Sequence, residues 1–124
     1  MAITHPTAVR NALADYVVDQ LDIGGPGKVV LQTSGGVTVS TLTFANPAFG
    51  AASAGVANAN AIVDDPAAVG GVVTKAELRQ GGGTAIVLCS VTATGGGGDI
   101  QLNNTTVAAG QVVSITSLSY TAPA

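Results

Sequence analysis

Side chains that do chemistry are nearly missing from this chain. Its 124 residues include one His, one Cys, no Trp and four other aromatics, and only 9% are charged. A single Cys89 excludes an intrachain disulfide, and one Cys with one His cannot assemble a usual zinc site. Any Ser/His/Asp or Cys/His mechanism would have to use His5, which sits beside Pro6 on a terminal segment, a poor place to hold a base against a nucleophile. Cys89 closes the most apolar stretch, residues 86–89, where a thiol acts as a small buried hydrophobe rather than a nucleophile. No enzyme activity is expected, and no cofactor or metal.

Basic charge is equally scarce. The four cations, Arg10, Lys28, Lys75 and Arg79, are spread along a chain of net charge −3, without the basic stripe that displaces counterions from nucleic acid. No segment approaches the roughly 18 consecutive apolar residues of a spanning helix, so no membrane partner is expected. Residues 1–6 lack a basic region followed by an apolar run, so no secretory signal is expected either, and the overlapping glycosylation triplets at Asn103-Asn104-Thr105-Thr106 carry little weight.

Three local patterns touch on chemistry and fail. Gly24-Gly25-Pro26-Gly27-Lys28 has Asp22 where a phosphate loop needs its first Gly and Val29 where it needs Ser or Thr, and a helix precedes it instead of following. Asp64, Asp65 and Asp99 fall in predicted loops but lack EF-hand spacing, so they read as solvated turn carboxylates rather than calcium ligands. Seven acids and four aromatics are too few to line a paired-carboxylate sugar cleft.

Gly, Ala, Val, Thr and Ser fill the space instead. The hydrophobic fraction is 47%, but much of it is Ala, which buries little area. At roughly 25 cal/mol per Å² such a core leaves a thin margin over chain entropy, and partners would supply the missing burial. A neutral surface of small residues suits a protein packed against copies of itself or another subunit.

Periodicity predicts one helix, over residues 7–21, with Val9, Leu13, Val17 and Leu21 facing the core and Ala12 and Tyr16 widening the stripe. Thr4 or Thr7 is its expected cap. Its charges oppose the helix dipole, Arg10 near the start and Asp15, Asp19 and Asp22 near the end, each at a cost of a few tenths of a kcal/mol. These carboxylates are expected either to meet external donors or to form a solvated face. Strands are predicted over residues 28–33 and 37–44, joined as a hairpin by Ser34-Gly35-Gly36; the apolar period slips between Ser40 and Thr41, as a bulge or a strand passing from one sheet to the next would cause.

Residues 45–71 have no sustained period, and ten of the 27 are Ala, so they predict a long extended segment anchored by Phe49, Val56, Ile62 and Val63. Further strands are expected over residues 72–79, 84–92, 99–102 and 111–121. The 84–92 strand, apolar on both faces, is expected to be central, and the last strand to slip phase between Ile115 and Leu118. The expected fold is a single mainly β domain over residues 1–124: an N-terminal arm and helix (1–23), a hairpin (28–44), the Ala-rich segment (45–71) and strands completing the fold (72–121). Six to seven strands with glycine turns describe a β-sandwich or small jelly-roll-like barrel.

The opening Arg10-Asn11-Ala12-Leu13-Ala14-Asp15, the strand Leu42-Thr43-Phe44 followed by Asn46-Pro47-Ala48-Phe49-Gly50, and the closing Ser117-Leu118-Ser119-Tyr120-Thr121 resemble small virion structural proteins of tailed bacteriophages and prophages. The likeness rests on order and composition across most of the chain. It implies a capsid cement or decoration protein, made in the host bacterial cytoplasm and bound on the capsid surface. Such a protein clamps neighbouring subunits of the major capsid protein and associates with itself as a dimer or trimer. A tail-tube or head–tail component is the alternative within the virion, and a glycan-binding or adhesion module the alternative outside it. The partner-contact candidates are Arg10, Asp15 and Asp19 on the helix and Phe49, Val56 and Ile62 in the Ala-rich segment.

Overall fold

The computed structural model describes residues 3–102, 104–115 and 118–122. The chain forms one helix, α1 (Thr7–Asp19), a short 3₁₀ turn (Gln20–Asp22), and then strands β1 (Lys28–Gln32), β2 (Thr38–Phe44), β3 (Val56–Asn58), β4 (Ile62–Val63) and β5 (Gly71–Val72). It continues with β6 (Lys75–Arg79), β7 (Ala85–Ala93), β8 (Ile100–Leu102), β9 (Thr106–Val107) and β10 (Ser119–Thr121). The fold is mainly β with a single N-terminal helix, as the composition and periodicity predict. Six strands in the order β4-β2-β1-β6-β7-β8 make a curled mixed sheet, a half-barrel. Two small ladders, β3 with β10 and β5 with β9, complete the fold.

Helix α1 begins at a proline. Pro6, at φ −59°, holds the N-cap position in place of the expected Thr4 or Thr7; it accepts the Arg10 N–H at 3.0 Å and makes no side-chain cap bond. Past the helix the chain runs flush against its neighbours at Gly27. A Cβ there would stand 2.6 Å from the Arg79 carbonyl oxygen and 2.7 Å from that of Leu21, so only glycine lets the helix end meet β6 on the way into β1.

The β1–β2 hairpin closes through Thr33, whose N–H donates to Val37 O and whose Oγ1 accepts the Val37 N–H. The predicted bulge forms, but at Val39. Leu31 pairs with Ser40 and Gln32 with Thr38, which leaves Val39 as the extra residue. That kink brings Val39 into the same buried cluster as Leu42 and Phe44, which pure alternation would not allow. The strand predicted over residues 72–79 is split: Gly71–Val72 pairs with β9, whereas Lys75–Arg79 pairs with β1 and β7.

The central strands are β1 and β6. Strand β7 stands next to the edge, which corrects the expectation that its apolar run marks the sheet centre. It pairs with β6 along residues 85–90, but with β8 only at Val91, Thr92 and Ala93, in parallel. Parallel neighbours normally need a long crossover, yet residues 94–99 suffice here by doubling back along β7. The Gly98 N–H donates to Thr92 Oγ1, and Asp99 and Ser90 exchange hydrogen bonds through the Asp99 carboxylate and the Ser90 hydroxyl.

One core cluster joins Ala14, Val18 and Leu21 of the helical segment to Val29, Leu31, Leu42 and Phe44 of the sheet and to Val113, Ile115 and Leu118 near the C-terminus. Among the described residues of the predicted final strand, only Ser119–Thr121 form a strand, although Val113 bridges Asp65. The phase slip expected there falls on residues 116 and 117, outside the described residues. Among the described residues, no helix is long and apolar enough to cross a membrane.

Candidate functional site

The predicted stripe faces the core only at its C-terminal end: Leu21 is buried as expected, but Val9, Ala12, Leu13 and Tyr16 face outward. Ala14, Val18 and Leu21 are the buried positions, and Val17 is half-buried. Val9, Leu13 and Tyr16 are 42%, 38% and 68% exposed, and Ala12 is exposed beside them. At about 100° per residue, Val9, Ala12, Leu13 and Tyr16 form one stripe and Ala14, Val18 and Leu21 a second, on the opposite side of the helix. Ile3, 86% exposed, and Ile23, 52% exposed, lie beyond the two ends.

Polar residues on the flanks explain the rotation. Asn11 Oδ1 accepts the Gly55 N–H at 2.7 Å, Asp15 Oδ1 the Ala52 N–H at 2.8 Å, and Asp22 Oδ1 the Ala48 N–H at 2.8 Å. Three acceptors along the helical segment therefore hold three amides of the Ala-rich segment, which lacks the large side chains to anchor itself. Arg10 packs beneath the same segment, its guanidinium against Gly55, where φ +78° favours glycine and a Cβ would push the Arg10 head group aside. Arg10 Nη2 donates to Ala122 O at 3.4 Å, while its buried Nε has no hydrogen-bond partner among the described residues.

The six contact candidates thus fall in different places. Arg10 and Asp15 are engaged within the chain. Phe49 is buried, its ring 5.6 Å from that of Phe44, so it serves the core and offers a partner nothing. Val56 is half-buried in β3, paired with Thr121, and Ile62 is half-buried in β4, paired with Phe44. Asp19 alone stands exposed on the helix. Val63, expected as an anchor, is 60% exposed. The segment itself is extended, with no helix over residues 51–61.

The Ala-rich segment also covers one edge of the sheet. Asp65 accepts the Ser40 hydroxyl at 2.7 Å and the backbone N–H groups of Thr41 and Ala67 at 3.1 Å each. Partial burial pushes its carboxyl up, but the three hydrogen bonds outweigh that and hold it below its ordinary range. Val69 and Gly70 N–H groups donate to Val39 O, so β2 exposes little free edge.

Strand register assembles what sequence spacing hides. Lys28 lies beside Arg79, Val30 beside Glu77 and Gln32 beside Lys75, all on the face opposite Val29 and Leu31. Three of the four cations therefore share the outer face of the sheet with Glu77, which pairs with Arg79 at 2.6 Å. Leu88, next to Glu77 in β7, is 74% exposed there.

The remaining reactive groups are dispersed. Burial, with the Asp99 charge second, pushes the half-buried Cys89 thiol up to about 11, which keeps it protonated at neutral pH. Asp64 is exposed, Asp65 is held by Ser40 and Thr41, and Asp99 by Ser90. Among the described residues, no three His, Cys, Asp or Glu converge. A shallow open cleft of about 120 Å³ runs between Leu102, Val107 and Val113, without a titratable group in its lining. Phe44 is buried like Phe49, Tyr120 is half-buried and Tyr16 is exposed, so no aromatic platform forms. The feature that stands out is the uncovered apolar face of α1. No protein-family model, curated protein or solved structure matches the chain.

Proposed function

We propose that this chain is a non-enzymatic structural protein that packs its surface against neighbouring subunits, as a capsid cement protein does on a phage head. One observation carries the reading: α1 is apolar on two opposite sides, and the chain covers only one of them. A helix with apolar stripes on two opposite sides, separated by polar flanks, fits between two bodies. Covering what remains exposed of Leu13 and Tyr16 contributes about 1–2 kcal/mol each, a modest contact that becomes strong when repeated around a shell. The likeness to phage virion proteins supplies the context, with the major capsid protein as the neighbour and the capsid surface as the location.

Quantitative mass spectrometry of purified particles whose genome encodes the chain tests this. A fixed ratio to the major capsid protein supports a cement role. Presence confined to isolated tails favours a tail-tube or head–tail part, and absence from particles ends the virion reading.

A further inference from the structure

We infer that the outward face of α1 pairs with the same face of a second copy, antiparallel, about a two-fold axis at Leu13. This deepens the reading above and rests on α1 being an assembly surface; it names the subunit on that face as a second copy, so the major capsid protein would meet another part of the chain. The first argument is the order of the exposed residues. Reversing the helix about Leu13 sets Leu13 against its own counterpart and brings Val9 and Tyr16 of the two copies level to within one residue, with Ala12 beside them on the same stripe. A stripe that reads nearly the same in both directions is what an isologous contact requires.

The second argument is charge. The first turn of α1 holds no acidic residue and its last turn no basic residue, while Asp19 stands exposed at that last turn. Each end is electrostatically unfavourable alone, and each complements the other. Thr7 and Asp19 both lie six residues from Leu13, so the pairing sets the Asp19 carboxylate of one copy beside the positive, acid-free first turn of the next. The two Asp19 residues are then about 18 Å apart along the axis, beyond the screening length of ordinary buffers. Asp15 lies nearer the axis, but on the flank where it is bound to Ala52.

Sedimentation equilibrium on the full chain from micromolar to millimolar concentration, with thermal melts to verify folding, reads the prediction. The expected result is a closed dimer that Leu13→Arg weakens by about tenfold or more and Asp19→Asn by about threefold. In a Cys89→Ser background, Leu13→Cys should cross-link to its counterpart on oxidation, and Leu88→Cys on the sheet should not. A chain that stays monomeric, a dimer indifferent to Leu13→Arg, open-ended polymers or cross-linking only through the Leu88→Cys variant would each overturn the pairing. The particle measurement above is independent of these outcomes, so failure of the pairing and failure of the virion reading can be told apart.

Discussion

Removing the carboxylate of Asp22 should loosen the Ala-rich segment more than removing that of Asp15. Both accept a backbone N–H at 2.8 Å, Asp22 from Ala48 and Asp15 from Ala52, but the donors differ in surroundings. Ala48 is fully buried, so without Asp22 its amide faces no water. An unsatisfied buried donor costs about 1–3 kcal/mol, and the charge-assisted bond that disappears belongs to the stronger class. Ala52 is only half-buried, so water can replace Asp15 at small cost. Asp22→Ala should therefore destabilise the fold by about 2 kcal/mol and Asp15→Ala by about 1 kcal/mol. Asp19→Asn, with no such bond, should stabilise the monomer by a few tenths of a kcal/mol by relieving an unfavourable charge at the helix end. Urea denaturation at low protein concentration gives the energies, and amide exchange at Ala48 and Ala52 shows whether the loss is local. Equal, negligible effects of Asp22→Ala and Asp15→Ala would refute the reasoning and return both carboxylates to a solvated face.

Gly27→Ala must push a methyl group onto the Arg79 and Leu21 carbonyls, and denaturant titration should show a loss of about 2 kcal/mol or more, or a chain that no longer folds. The Asp65 carboxyl is held below its ordinary range, so it stabilises the fold above the unfolded-state value and loses that contribution as pH falls through the folded one. Wild-type stability should accordingly drop from about pH 4 downward, and Asp65→Ala should flatten that part of the curve. Cys89, with its thiol pushed up to about 11, should react with iodoacetamide far more slowly than a free thiol at pH 8, its rate still rising toward pH 11.

Much of the fold is written in local pattern. Strands β1, β2 and β6, the Ser34-Gly35-Gly36 turn and a bulge in β2 follow from period-two apolarity and its interruption, whereas β4 lies in the Ala-rich segment, which has no period to mark it. Helix α1 is legible as a helix but not in its rotation. Val9, Leu13 and Tyr16 make the more conspicuous stripe, yet α1 packs on β3 and β10 and buries Ala14 and Val18. Its orientation is set by Asn11, Asp15 and Asp22 reaching amides 26 to 44 residues away, and no window of sequence contains those partners. The grouping of Lys28, Lys75 and Arg79 is hidden for the same reason, since cross-strand register creates it. Strand β7 looks central because it is apolar, whereas its position depends on how short β8 is. The candidate surface was legible only in part: its residues are plain in the sequence, but periodicity assigns them to the core.

A reconstruction by electron cryo-microscopy of particles whose genome encodes the chain tests the central claim most directly. The account predicts density for the chain on the capsid with Val9, Leu13 and Tyr16 of α1 covered by a neighbouring subunit. Particles that contain the chain with that face of α1 open to solvent, or that lack the chain altogether, would contradict it.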